Sequence, residues 1–140
     1  MHDVPDKYRV HGHAIVSTDD RIADPAGRMP KALRNRADWR RFTAALDAAA
    51  VVVLGRLGHE AHPDRSGRRR VVVTRGPTRA SDDPLTSFWN PIETPLREVL
   101  ESAAPDGGVV AVPGGKGVFD LFLQIGYDEF HLVRARRVTL

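Results

Sequence analysis

The segment from Val109 to Phe122 constrains this chain most. An apolar run, Val109-Val110-Ala111-Val112, stops at Pro113-Gly114-Gly115, and helical spacing begins at once. Proline suits the end of a strand better than its middle, while Val118, Leu121, Phe122 and Ile125 recur at i, i+3, i+4 and i+7. The pattern predicts a strand that ends on a helix N-terminus. Gly114 and Gly115 occupy the turn, where the lack of side chains lets backbone N–H groups approach a ligand closely, and the helix dipole favours a negative charge there. Glycine serves packing in many such turns too, so the rest of the chain must decide.

Alternation extends that unit along the chain. Apolar runs and helical stripes predict strand 9–16, helix 35–49, strand 50–55, strand 70–75, helix 95–103, strand 109–113, helix 116–126 and strand 128–135. Runs such as Val51-Val52-Val53-Leu54 are apolar on both faces, as central strands of a doubly covered sheet must be. The expected fold is therefore an α/β three-layer sandwich around a mostly parallel central sheet. Thr94 and Pro95 read as N-cap and first helical residue of helix 95–103, whose buried stripe would be Leu96, Val99, Leu100 and Ala103. Loops are expected at 17–34, 57–69 and 76–93, with Phe88 and Trp89 as a short edge strand limited by Pro84 and Pro91.

Length and composition narrow the function. A chain of 140 residues is expected to be one domain, 1–140, with a core that needs neither metal nor disulfide. Cysteine is absent, which excludes disulfides, thiolate zinc sites and cysteine nucleophiles. Residues 1–9 are charged and proline-bearing where a secretory signal needs an apolar stretch, and no run reaches membrane-spanning length, so a cytoplasmic protein without membrane contact is expected. Lys and Arg number 21 against 18 acidic residues, and the excess gathers at Arg65, Arg68, Arg69, Arg70, Arg75 and Arg79. Aromatic residues are not interleaved with these arginines, and Arg75 follows a strand's C-terminal end, where open parallel sheets bind ligands. A small phosphorylated ligand therefore suits the cluster better than nucleic acid.

Several of these segments, in this order, resemble dihydrofolate reductase and its relative, the reductase domain of riboflavin biosynthesis. Ala14 through Ala23 is similar to the family's first strand and active-site loop, and Met29-Pro30 to that loop's close. Asp38, followed four residues later by Phe42, resembles the acidic helix motif; Val51 through Arg56 resembles the strand and Gly-Arg of the cofactor site. Gly67-Arg68 with Val71 through Arg75, the double glycine with Phe119, and Asp128-Glu129-Phe130 complete the series.

The resemblance implies hydride transfer from NADPH to a C=N bond of a pterin, dihydrofolate first, or of a riboflavin-precursor pyrimidine. It implies that Gly55, Arg56, Thr74, Arg75, Gly114, Gly115, Lys116, Gly117 and Val118 bind the cofactor. Arginine's paired donors suit a 2′-phosphate, which favours NADPH over NADH. Asp38 is the implied proton-handling residue, while an ordinary first-turn role beneath an Asn35 cap is the alternative. Ala14, Ile15, Arg68 and Phe119 match substrate-side positions, although the first two and Phe119 are equally suited to a core.

Departures from the family pattern bear on the substrate. Lys31 replaces the tryptophan after Met-Pro, Gly58 replaces a threonine, and Val133 replaces the threonine that supports the acid. The family's closing hairpin is not represented after Leu140, as a truncated chain or a partner's strand would explain, and a homodimer that covers strand 128–135 is one expectation. A nucleotide-binding module without turnover remains the alternative to a reductase. His11 with His13, and His59 with His62, form pairs without a third ligand of compelling spacing, so no metal site is expected.

Overall fold

A computed structural model describes residues 3–17, 37–61 and 67–135. In chain order its elements are β1 (Tyr8–Ser17), α1 (Ala37–Ala48), β2 (Val51–Gly55), α2 (Arg56–Ala61), β3 (Arg70–Val73), β4 (Arg79–Ala80), β5 (Thr86–Trp89), α3 (Leu96–Ala103), β6 (Gly108–Gly114), α4 (Lys116–Ile125) and β7 (Glu129–Ala135). One sheet holds all seven strands in the order β4-β5-β3-β2-β6-β1-β7. Every pairing is parallel except β4 with β5. The fold is thus α/β with a mostly parallel sheet, as the alternating pattern predicts.

Side-chain alternation divides the sheet into two buried faces. Val51, Val53, Val71, Val110 and Val112 pack with Leu96, Val99 and Leu100 of α3 and with Val118, Phe119 and Phe122 of α4. Their neighbours Val52, Leu54, Val72 and Ala111 turn the other way, onto Phe42 and Leu46 of α1. Strands apolar on both faces therefore lie where helices cover both faces. Near the start of β1 the Tyr8 hydroxyl donates to the Ala104 carbonyl at 2.7 Å, which ties the strand to the end of α3 without leaving a buried polar atom unpaired.

Element ends and loops need correction. Residues 57–61, expected within the loop 57–69, form with Arg56 the short helix α2. The segment 76–93 contains β4 and β5, so β5 lies between β3 and β4 rather than at the edge, and Trp89 is fully buried in the core, edge-on to Phe122 of α4. Thr94 is not the cap of α3: Pro95 holds the N-cap position with no side-chain cap hydrogen bond. The Thr94 hydroxyl instead donates to Thr78 Oγ1 at 2.8 Å, and its carbonyl accepts the Trp89 indole N–H at 2.9 Å. Strand β3 ends at Val73, before Thr74 and Arg75, because the Thr74 hydroxyl accepts the Gly76 N–H at 3.1 Å and turns the chain. Strand β7 starts one residue later than expected, since Asp128 bridges back to β1, its N–H donating to the Val10 carbonyl and its carboxylate accepting the Val10 N–H at 2.7 Å. Residues 18–36, among them Met29, Pro30, Lys31 and Asn35, residues 62–66, with His62 and Arg65, and residues 136–140 lie outside the described residues.

Candidate functional site

Parallel pairing brings the carboxyl ends of β3, β2 and β6 side by side. Gly55 pairs with Val73 on one flank, and Leu54 pairs with Gly114 on the other, after a register shift between Val52 and Leu54. The segments carrying Gly55-Arg56, Thr74-Arg75 and Gly114-Gly115-Lys116-Gly117 therefore share one sheet edge. At the β2–β6 junction the connections diverge, β2 leading through α2 to β3 and β6 leading through α4 to β7. Such a divergence is where open α/β sheets form a ligand crevice.

The glycines are fitted to that edge for different reasons. Gly114 has φ +125° and packs beneath the Phe119 ring, so a side chain there would be strained and crowded. At Gly55 a methyl group would sit 3.8 Å from the Gly115 nitrogen and 3.6 Å from Val118, in ordinary contact; its absence leaves the approach to that amide open. Gly115 is the N-cap of the ten-residue helix α4, with no side-chain cap and no acidic residue in the first turn, and a Cβ at Gly117 would meet nothing within 4 Å. An uncapped helix start beside Lys116 has free N–H donors and a positive end, a chemical fit for a phosphate. These features fit the pyrophosphate of a dinucleotide.

Cations near the edge are exposed. Arg56 projects with its Nε 3.8 Å from Glu60, a weak surface pair one helical turn away. Arg75 is exposed, on a turn fixed by the Asn90 side chain, whose amide donates to the carbonyls of Arg75 at 3.2 Å and Gly76 at 2.9 Å. The hydroxyl of Thr74 is engaged within the same turn.

Asp38 lies in the first turn of α1, the helix over β1 and β6, although its side chain is outside the described ones. The substrate-side expectations separate. Ala14 is 3% exposed in the core shared with α3 and α4, the face opposite α1; Ile15 and Val133 pair across β1 and β7, but their side chains are not described. Phe119 is buried under Gly114 and against Phe130, and Val118 is buried beside it, so both side chains serve packing. Arg68 donates from Nε to Asp47 at 2.6 Å and from its terminal nitrogen to the Thr43 carbonyl at 3.4 Å, a half-buried clasp that joins the start of β3 to α1. The described members of the arginine cluster disperse, Arg65 lying outside the described residues: Arg70 is buried with a terminal nitrogen 3.1 Å from His59 Nδ1, and Arg79 lies 4.2 Å over the Phe88 ring.

The His11–His13 pair belongs to a second polar group whose other members lie far along the chain. His13, on the α1 face of β1, is only 7% exposed, stacked on His131 of β7 at 4.9 Å and edge-on to Phe42 of α1. Burial first, then the neighbouring His131 and His11, push its imidazole down to about 4, with Glu129 opposing. The discoverable signal is period-two polarity on two predicted strands, His11 with His13 and Glu129 with His131, which their pairing places on one face. Compared with models of known protein families and with curated proteins, the chain matches none.

Proposed function

We propose that the chain is an NADPH-dependent reductase of a ring C=N bond, in the manner of the dihydrofolate reductase superfamily, with a pterin of the dihydrofolate type as first substrate. One observation carries this reading: glycine-bearing ends of β2 and β6 meet with the uncapped start of α4 at the sheet's topological divergence. Backbone N–H groups of Gly115 to Gly117 with Lys116 hold the pyrophosphate, and Arg56, Thr74 and Arg75 at neighbouring strand ends hold the 2′-phosphate. NADPH supplies the hydride when bound. Asp38, at the end of α1 nearest the same sheet edge, holds the ring's amidine nitrogens and raises their proton affinity.

The Arg68 clasp favours a second reading on the substrate side. A guanidinium already paired with Asp47 has less to offer the carboxylate tail of a folate, which supports a riboflavin-precursor pyrimidine without such a tail. Following NADPH absorbance with dihydrofolate and with the ribosylamino-pyrimidine precursor tests both. Oxidation with either substrate supports a reductase and tells the two apart. NADPH binding without oxidation supports the module without turnover, and no binding rejects the site.

A further inference from the structure

We propose that His11, Glu129 and His131, on the β1–β7 flank of the sheet, form a binding site for a divalent transition-metal ion of zinc's class. Strands β1 and β7 pair so that His11 stands opposite Glu129 and His13 opposite His131. The three donor groups lie within 4.8 Å of one another. A single carboxylate oxygen, Glu129 Oε2, is 2.9 Å from His11 Nε2 and 3.9 Å from His131 Nε2. A tetrahedral ion with bonds of about 2.1 Å separates its ligand atoms by about 3.4 Å, between those two distances, and the two imidazole nitrogens, within 4.8 Å of each other, turn toward the ion to match it.

Two imidazoles with one carboxylate form a borderline donor set, suited to zinc or cobalt and unsuited to calcium or magnesium, which take oxygen ligands. The rings are held before any ion arrives. His131 stacks on buried His13 with an 8° interplanar angle, and the His11 side chain is only 18% exposed. Glu129 and His131 are open to solvent, so an ion can enter and keep water on its remaining positions. Its effect would be a clamp between β1 and β7, the outermost strand of the described sheet.

The experiment is titration of the full chain with zinc alone, by calorimetry, and with cobalt(II), by visible absorption, while the imidazole resonances are followed by NMR. One ion per chain is expected, with the His11 and His131 resonances shifting most and a rise in Tm. E129Q, which keeps a hydrogen-bond acceptor near His11, and H131A should each weaken zinc binding by about tenfold or more and abolish the gain in Tm. E98Q, on the exposed side of α3, should bind as the parent does. Circular dichroism confirms that each variant is folded, and NMR assigns the site even if one is not. Absence of binding by the parent, unchanged affinity in both E129Q and H131A, or loss confined to E98Q would overturn the proposal.

Discussion

The two faces of the sheet solve the same burial problem with different side chains. Beneath α3 and α4, valines from β2, β3 and β6 meet leucines and phenylalanines, and Trp89, Leu96, Leu100 and Phe122 have no exposed surface. Beneath α1, among the described side chains, the buried apolar patch is Leu46, Val52, Leu54, Val72 and Ala111, with Phe42, Ala49 and Phe88 packed against it, and toward β7 it is followed by His11, His13 and His131 with Glu129. Dry packing rewards volume and shape, whereas imidazoles on a sheet face sacrifice apolar area for donors and acceptors. The first face is read as the scaffold, and the second as the surface whose chemistry can vary.

Removing a ring from the dry face should have the largest effect. Phe122→Ala is expected to cost about 3–5 kcal/mol in chemical denaturation, since the side chain is fully buried and its neighbours cannot all collapse into the space. A cost near that of an exposed site would break the contrast. Gly12→Ala comes next. A methyl group there would lie 2.4 Å from the Phe130 ring and 2.8 Å from Tyr127, and displacing the rings should cost about 1–3 kcal/mol by the same measurement. Phe130 is 45% exposed and has room to move, which sets this effect below the first.

Tyr127 sharpens the comparison through pH. Burial, with Asp120 nearby, pushes its phenol up to about 12, while the hydroxyl donates to the Phe119 carbonyl at 3.1 Å. Because the folded state keeps the proton longer than an unfolded chain, whose phenol titrates near 10, the contribution to stability is complete below pH 10. It declines as pH rises toward 12. Tyr127→Phe should remove this decline while costing about 1 kcal/mol at neutral pH; an unchanged alkaline profile would contradict the assignment. Least costly should be His11→Ala on the other face, within about 0.5 kcal/mol in metal-free solution, because its hydrogen-bond partner Glu129 stays solvated. A larger loss would make the histidine face part of the scaffold.

What the sequence discloses follows the same division. Strands β2, β3 and β6 are legible because valine runs apolar on both faces have few other uses in a chain of this size, and helix α3 because its buried stripe matches the helical period. Helix α2 is concealed by Gly58 and flanking arginines, which resemble loop composition. Phe88 and Trp89 disclose the second half of β5, while polar Thr86 and Ser87 conceal its start, although Thr86 is buried because its hydroxyl donates to the Asp83 carboxylate at 3.0 Å. Of the candidate site, the glycine turns are readable because φ and close approach demand glycine; the outward or inward direction of Ala14, Phe119 and Arg68 depends on which face a neighbour covers. The histidine group is harder still, since His11 and His131 are far apart in the chain and only strand pairing joins them.

The proposed reductase requires a phosphorylated dinucleotide at the glycine-bearing edge. Amide NMR during titration with NADPH tests it most directly. Shifts concentrated at Gly55, Arg56, Thr74, Arg75 and Gly114 to Gly117, stronger for NADPH than for NADH, are the predicted result. No saturable binding, or shifts centred elsewhere, such as the roughly 600 Å³ cavity bordered by Asp3, Asp6, Tyr127 and Asp128, would contradict it.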